Sequence, residues 1–292
     1  MSAVKTTERN ESVIKGRTSK RICFSLRIFS YITTGIAVVA LFAIIIYTVV
    51  GGIDKLSLEF LFGDGKLEHS LLPAIVGTLE LILISMAIAV PIGIGSAIFL
   101  AEYTKTQSKF VKAIRLATET LSGIPSIVYG LFGYLIFVVA FKMGYTILGG
   151  GITLAIMVLP VIVRSVEESL LAVPQGLREG SYALGTSKVR TIFKVVLPSC
   201  AGGIVTALIL AVGRVVSESA VLILTVGMVV NKVPESVLSP GTSLALDIYY
   251  FASHGYPDQA AATGVVLMIL VILINLAASG IGKLIKKKTG EK

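Results

Sequence analysis

Charge is scarce in this chain. Asp, Glu, Lys and Arg make up only 15% of 292 residues, apolar types reach 54%, and mean hydropathy is +0.89. A soluble domain of this length would need charged side chains over most of its surface, so water is not the main solvent here. Cysteine and histidine are rarer still. Cys23 and Cys200 stand alone, at a spacing that fits neither a zinc site nor a disulfide framework, and are read as remaining thiols. His69 and His254 fall in separate polar loops, which argues against a histidine metal site. The net charge of +9 does not make a nucleic-acid surface, because the basic residues sit in short blocks between apolar stretches. Blocks of that kind flank membrane spans. No catalytic or metal-ligating set is expected.

What the chain has in abundance is apolar length. A spanning helix needs ~20 mostly apolar residues, because it must satisfy its own backbone across a hydrocarbon core of ~30 Å. Six stretches qualify, at 28–50, 71–100, 121–141, 145–163, 201–230 and 261–285. The expected fold class is all-α, a polytopic membrane protein with six transmembrane helices. The first stretch is too long for a signal-peptide core and lacks a small-residue cleavage site, so it reads as an uncleaved anchor. Of 26 Lys and Arg residues, 21 fall in the terminal tails and the second and fourth connections. Only Lys55, Lys66, Lys142 and Lys232 lie opposite, and Arg214 lies inside the fifth span. Both termini are therefore expected on the cytoplasmic side. The implied organisation is a basic tail (1–27), a first span (28–50), a permease core (72–284) containing a cytoplasmic loop (164–198), and a basic tail (285–292).

Pro91, Pro125 and Pro160 interrupt the spans, and glycine is frequent, as in helices that pack closely in a bundle. Gly93-Ile94-Gly95 and Gly149-Gly150-Gly151 read as close helix contacts or helix ends before they read as ligand sites. No inverted repeat of the kind found in secondary transporters is visible.

The segment 164–198 is too polar and too long for a plain connector. Pro174 can start a helix, and Leu177, Tyr182, Leu184 and Val189 are apolar positions among charges, so a short amphipathic helix ending near Gly185 is expected. Periodicity alone leaves two partners open. The helix could lie on the membrane with Arg178, Lys188 and Arg190 at lipid headgroups, or dock on another protein. Gly180, Gly185 and Ser187 also occupy the positions of a phosphate-binding loop. Thr186 stands where that loop needs lysine, and no strand precedes it, so no ATP hydrolysis by this chain is expected.

The run Glu179-Gly180-Ser181, then Gly185, then Val195-Val196-Leu197-Pro198 resembles the loop of type I ABC importer permeases that reads Glu-Ala-Ala, three residues, Gly, nine residues, Ile, any residue, Leu-Pro. The spacing matches throughout, with Gly180 and Ser181 in place of the alanines and Val195 in place of isoleucine. The resemblance implies a coupling helix that docks on a separate ATPase subunit through Glu179, Gly180, Ser181, Gly185, Leu197 and Pro198.

Within the fifth span, Arg214 and Glu218 would each cost about 2.5 to 3.5 kcal/mol at the bilayer centre, so neither should face lipid. Their i, i+4 spacing puts both on one face of a continuous helix, as an ion pair or as groups lining a route. Further motifs resemble the permease A (PstA) family of phosphate-specific ABC transporters. They are Gly77-Thr78-Leu79, Glu102-Tyr103, the run from Leu121 to Phe132 around Gly123, Pro125, Ser126 and Gly130, and Leu159-Pro160-Val161-Ile162-Val163-Arg164. In the fifth span that family reads Gly-Arg, two residues, Gly-Glu-Thr-Ala, where this chain has Gly213-Arg214 and Ser217-Glu218-Ser219-Ala220. The resemblance implies a substrate pathway at Arg214, Ser217, Glu218 and Ser219 for inorganic phosphate. It also implies a prokaryotic inner membrane, a heterodimer with a permease C subunit, two copies of an ATPase that uses ATP and Mg, and an extracytoplasmic phosphate-binding protein. A type I permease for another oxyanion or nutrient, and an ion-coupled carrier using Glu218 as a proton site, are the rival readings. Glu80 and Glu119 lie near spans, Glu119 at an interfacial position.

Overall fold

The structure, a computed structural model, describes residues 2–63, 70–104, 108–230 and 232–289, with side chains from Cys23 to Gly280. His69 and its loop lie outside the described residues, as do the side chains of the basic blocks at the two ends. The chain divides into two compact units, Met1–Gly51 and Gly52–Lys292. The first is a single helix, α1 (Ser2–Gly52), whose helical course begins well before residue 28.

Every regular element among the described residues of the second unit is helical. They are a 3₁₀ turn (Ile53–Lys55), α2 (Leu58–Phe62), α3 (Leu72–Ile98, prolonged by a π-helical turn Phe99–Tyr103), α4 (Lys109–Ser122), α5 (Ser126–Gly133, prolonged by Tyr134–Ala140) and α6 (Ile147–Leu171). After these come α7 (Gln175–Ala183), α8 (Lys188–Thr191, then a π-helical Ile192–Val196), α9 (Leu197–Ser199), α10 (Ala201–Val216), α11 (Ala220–Thr225), α12 (Leu244–Ser253) and α13 (Pro257–Thr289). Four helical stretches are long and apolar enough to cross a membrane: Cys23–Lys55, Leu72–Tyr103, Ile147–Leu171 and Pro257–Gly280. The count is six if two bent pairs each make one span.

Those two pairs correct the expected span boundaries. Residues 121–141 are not one helix. Proline at 125 holds the preceding residue out of the helical region, so α4 tightens at Gly123 and Ile124 through i→i+3 bonds and α5 restarts after Pro125, bent by 98°. Residues 201–230 are also discontinuous. Helix α10 stops at Val216, α11 runs only from Ala220 to Thr225, and 226–230 is irregular. The fourth span extends further than its hydropathy suggests, through Arg164 to Leu171, because Val166, Glu167 and Leu170 are buried there.

The core is built on α3 and α6, the most extensively packed pair. Small residues let them approach. A Cβ at Gly93 would lie 2.6 Å from Ile162 Cγ2, and one at Gly151 would lie 2.6 Å from Ile84 Cγ2, so each helix offers a glycine to an isoleucine of the other. At the start of α3, Gly77 meets the backbone carbonyl of Thr242, and Thr78 Oγ1 accepts from the Leu244 amide at 3.0 Å. That contact pins the short α12 to α3. Asp247 on α12 is fully buried and accepts a hydrogen bond from the Thr242 hydroxyl, while its Oδ2 has no partner among the described residues. Burial pushes this carboxyl up to about 7, against the lowering effect of that hydroxyl.

Candidate functional site

The last turn of α10 and the break after it hold the four residues expected to line a pathway, Arg214 inside the helix and Ser217, Glu218 and Ser219 beyond it. Ser217 terminates α10, its hydroxyl donating to the Gly213 and Arg214 carbonyls at 3.0 and 3.3 Å. Glu218 lies beyond the helix, so the shared helical face inferred from i, i+4 spacing does not exist. Its Oε1 turns forward instead and accepts from the Ala220 and Val221 amides at 3.1 and 3.4 Å, placing a carboxylate at the start of α11. Ser219 makes no side-chain cap. No Arg214–Glu218 ion pair forms, and Arg214 Nε is buried without a hydrogen-bond partner among the described residues. A buried donor left open costs about 1 to 3 kcal/mol, more when it carries charge.

The proline break lies against this site. On α5, a Cβ at Gly130 would sit 3.0 Å from Val221 Cα and 3.2 Å from the Ala220 carbonyl, so the backbones of α5 and α11 touch. Tyr129 donates to the Leu121 carbonyl at 2.8 Å, tying α5 back across Gly123–Pro125. Of the four motif residues, Gly130 makes the close approach to α11, while Gly123 and Pro125 lie at the break and Ser126 opens α5. Nothing in the Leu121 to Phe132 pattern marks Tyr129 as the residue that makes the tie to Leu121. Glu80 on α3 also has a buried carboxylate oxygen without a partner, and Glu119 is exposed on α4, 3.7 Å from Arg164.

The loop after α6 folds as a helix bounded by Pro174 and Gly185. Gly185 has φ +75°, its amide donates to the Tyr182 carbonyl, and the Thr186 amide donates to the Ser181 carbonyl. This pair of bonds is a Schellman closure, which needs the left-handed residue that glycine supplies. Ser181, where the family pattern has alanine, is buried and joins Thr186 and Thr191 in a ring of three hydroxyls at 2.7 to 2.9 Å. Leu197 and Pro198 are half-buried at the start of α9.

The orientation of α7 is opposite to what its amphipathic pattern implies. Arg178 points inward, not toward lipid headgroups, and pairs with Glu102 at 2.7 Å. Leu177, Glu179, Gly180, Tyr182 and Leu184 point outward, Leu184 with 84% of its surface exposed. A second pair, buried Glu167 with half-buried Arg115 at 2.6 Å, joins α4 to α6. Among the described residues no group of three or more His, Cys, Asp or Glu side chains is placed to hold a metal ion.

The geometry gives a bundle of long apolar helices, two of them broken, with Arg214 lacking a hydrogen-bond partner among the described residues just before the second break. The family model for the inner membrane component of binding-protein-dependent transport systems matches residues 89–291. A probable ABC transporter permease protein of Bacillus subtilis, YqgI, is 36% identical over 261 residues, 83% of this chain and 88% of that protein. The phosphate transport system permease protein PstA of Yersinia pestis is 36% identical over 243 residues, 80% and 81% of the two chains. Among solved structures, a bacterial alginate ABC transporter with its periplasmic protein aligns with TM-score 0.65 at 15% identity, covering 85% of this chain and 90% of that one. An inward-facing MetNI methionine ABC transporter aligns at 0.58 and 22%, covering 74% and 94%. The chain belongs to the binding-protein-dependent transport system inner membrane component family, the permeases of ABC importers. That membership sets aside the ion-coupled carrier.

Proposed function

We propose that this chain is the A-type permease subunit of an importer that moves inorganic phosphate across the prokaryotic cytoplasmic membrane. It would pair with a C-type permease, two copies of an ATPase that binds ATP and Mg, and an extracytoplasmic phosphate-binding protein. Relatives named for phosphate transport support the substrate. The observation that carries the reading is Arg214, a guanidinium with a buried, unpartnered nitrogen where two helices break. Its planar fork suits phosphate oxygens. Glu218, held at the start of α11, keeps a negative charge near the route, so that bound phosphate is released and not trapped. Ser217 and Ser219 add hydroxyls at the same break. The outward apolar face of α7, with Glu179, Gly180 and Gly185, is the ATPase contact; Ser181 fixes the loop from inside, and Leu197 and Pro198 end it at α9.

The test is binding-protein-dependent uptake of labelled phosphate by the full complex in vesicles, with sulfate as competitor. Arg214→Gln should abolish uptake with normal membrane insertion, and Arg214→Lys should restore little because the fork is lost. Normal uptake by well-inserted Arg214→Gln would remove Arg214 from the route. Efficient sulfate uptake in place of phosphate would transfer the permease to another oxyanion.

A further inference from the structure

Helix α7 is joined covalently to α6 only through Ala172, Val173 and Pro174, a link short enough to hinge. One side chain bridges that hinge. Arg178 donates to the Leu170 carbonyl through Nη2 at 2.8 Å and to the Val173 carbonyl through Nη1 at 2.7 Å. The Leu170 carbonyl lies in the last turn of α6, where it also accepts from the Val173 amide at 3.3 Å, and the Val173 carbonyl lies in the link itself. The same guanidinium grips Glu102 Oε1 through Nε at 3.1 Å and Nη2 at 2.7 Å. Glu102 sits in the π-helical turn that ends α3, and a wider turn of this kind re-aims its side chains. The two side chains are only 10% and 6% exposed. Among the described residues, no other α7 side chain is hydrogen-bonded to α3 or α6.

A buried ion pair is a poor source of stability, since apolar residues of similar volume do as well or better. It does fix geometry. Here the geometry joins the ends of the two helices that the Gly93–Ile162 and Gly151–Ile84 contacts already lock together.

We infer that Arg178 and Glu102 are positioning residues forming a strut that makes α7, α3 and α6 one moving body. Displacement of α7 then reaches the α3–α6 pair instead of being absorbed at 172–174. The inference rests on α7 being the helix that docks on the ATPase, and the experiment separates the two ideas.

In the complete complex reconstituted in vesicles, Glu102→Gln keeps the outward face of α7 intact, so the ATPase should still co-purify. The phosphate carried per ATP hydrolysed should fall about 5- to 150-fold, the usual range of coupling between sites. Arg178→Lys should behave alike, because one ammonium cannot replace a fork that serves three acceptors. An unchanged transport ratio in both variants overturns the strut. Leu177→Asp, on the outward face, should instead lose the ATPase; retention there overturns the docking reading and leaves the strut to the next measurement. Spin labels at Phe99 and Gln175, in a Cys23→Ser, Cys200→Ala background with the strut untouched, should keep one separation in nucleotide-free and vanadate-trapped complexes. A change approaching one helical turn, ~5 Å, would show that α7 pivots and refute the inference, even if both strut variants fail to insert.

Discussion

Asp247 offers a test whose size and sign both follow from its surroundings. Its carboxyl is fully buried on α12, has one partner, and is pushed from 3.8 to about 7 by desolvation. That difference corresponds to roughly 4 kcal/mol of preference for the neutral form in the folded protein. Between the two values the folded state holds a proton that the unfolded chain has released, so stability falls as pH rises from about 4 to 7 and is lowest above 7. Asp247→Asn removes the titration while keeping an oxygen for the Thr242 hydroxyl. The amide nitrogen then replaces Oδ2, which has no partner, and an open donor costs about 1 to 3 kcal/mol at every pH. The constant cost does not affect the comparison across pH. Relative to wild type, the variant should gain roughly 2 to 3 kcal/mol between pH 5 and pH 7.5, on the order of 5 to 10 °C in melting temperature for a domain of this size. Buried Cys200 provides the assay. In a Cys23→Ser background, a thiol-reactive dye reports its exposure during heating in detergent. A shift of the same size at both pH values would refute the buried-carboxylate argument.

Gly185→Val should lose the ATPase or uncouple it, with backbone strain of about 1 to 3 kcal/mol, while Gly185→Asn, which tolerates left-handed φ, should keep the turn; normal assembly and transport by the valine variant would exclude a docking role. Because a Cβ at Gly185 meets nothing within 4 Å of its own chain, failure of the asparagine variant as well would identify a close approach by the partner. Gly77→Ala should destabilise by about 1 to 3 kcal/mol through collision with the Thr242 carbonyl, whereas Gly95→Ala, with open space around it, should leave the melting temperature unchanged. Tags at both ends should be cleaved by a protease confined to the cytoplasmic face; protection of either tag would break the expected topology.

Apolar length located all the long helices, but hydropathy could not place the interruption at 217–219. Three residues flanked by Val215-Val216 and Ala220-Val221-Leu222 barely lower a window average. Pro125 was visible as a kink, yet the 98° bend needs the polar α4 on its other side. Pro174 and Gly185 bounded α7 correctly because each restricts the backbone locally. The direction α7 faces was not legible. Amphipathic patterning assigns charge outward, and Glu102, 76 residues away, together with the Leu170 and Val173 carbonyls, reverses it for Arg178.

The buried charges of the second unit divide by location, and the division bears on what Arg214 is for. At the end of α3 and α6 the chain completes its own pairs: Arg178 has Glu102 and two carbonyls, and Glu167 has Arg115. Pairs that are complete within one chain need nothing from substrate or neighbour, which fits a framework role. Arg214 has a carboxylate four residues away and does not take it, because the helix ends between them and Glu218 is held by the α11 amides. Had α10 continued for one more turn, the pair would have formed and the guanidinium would have been neutralised. The break at 217–219 therefore keeps Arg214 open. A permanent acceptor from a neighbouring subunit would need no such device, since an uninterrupted helix could supply one internally at lower cost. In the phosphate route proposed for this break the acceptor arrives and leaves, and an open guanidinium with the Glu218 carboxylate close by in sequence supports that reading.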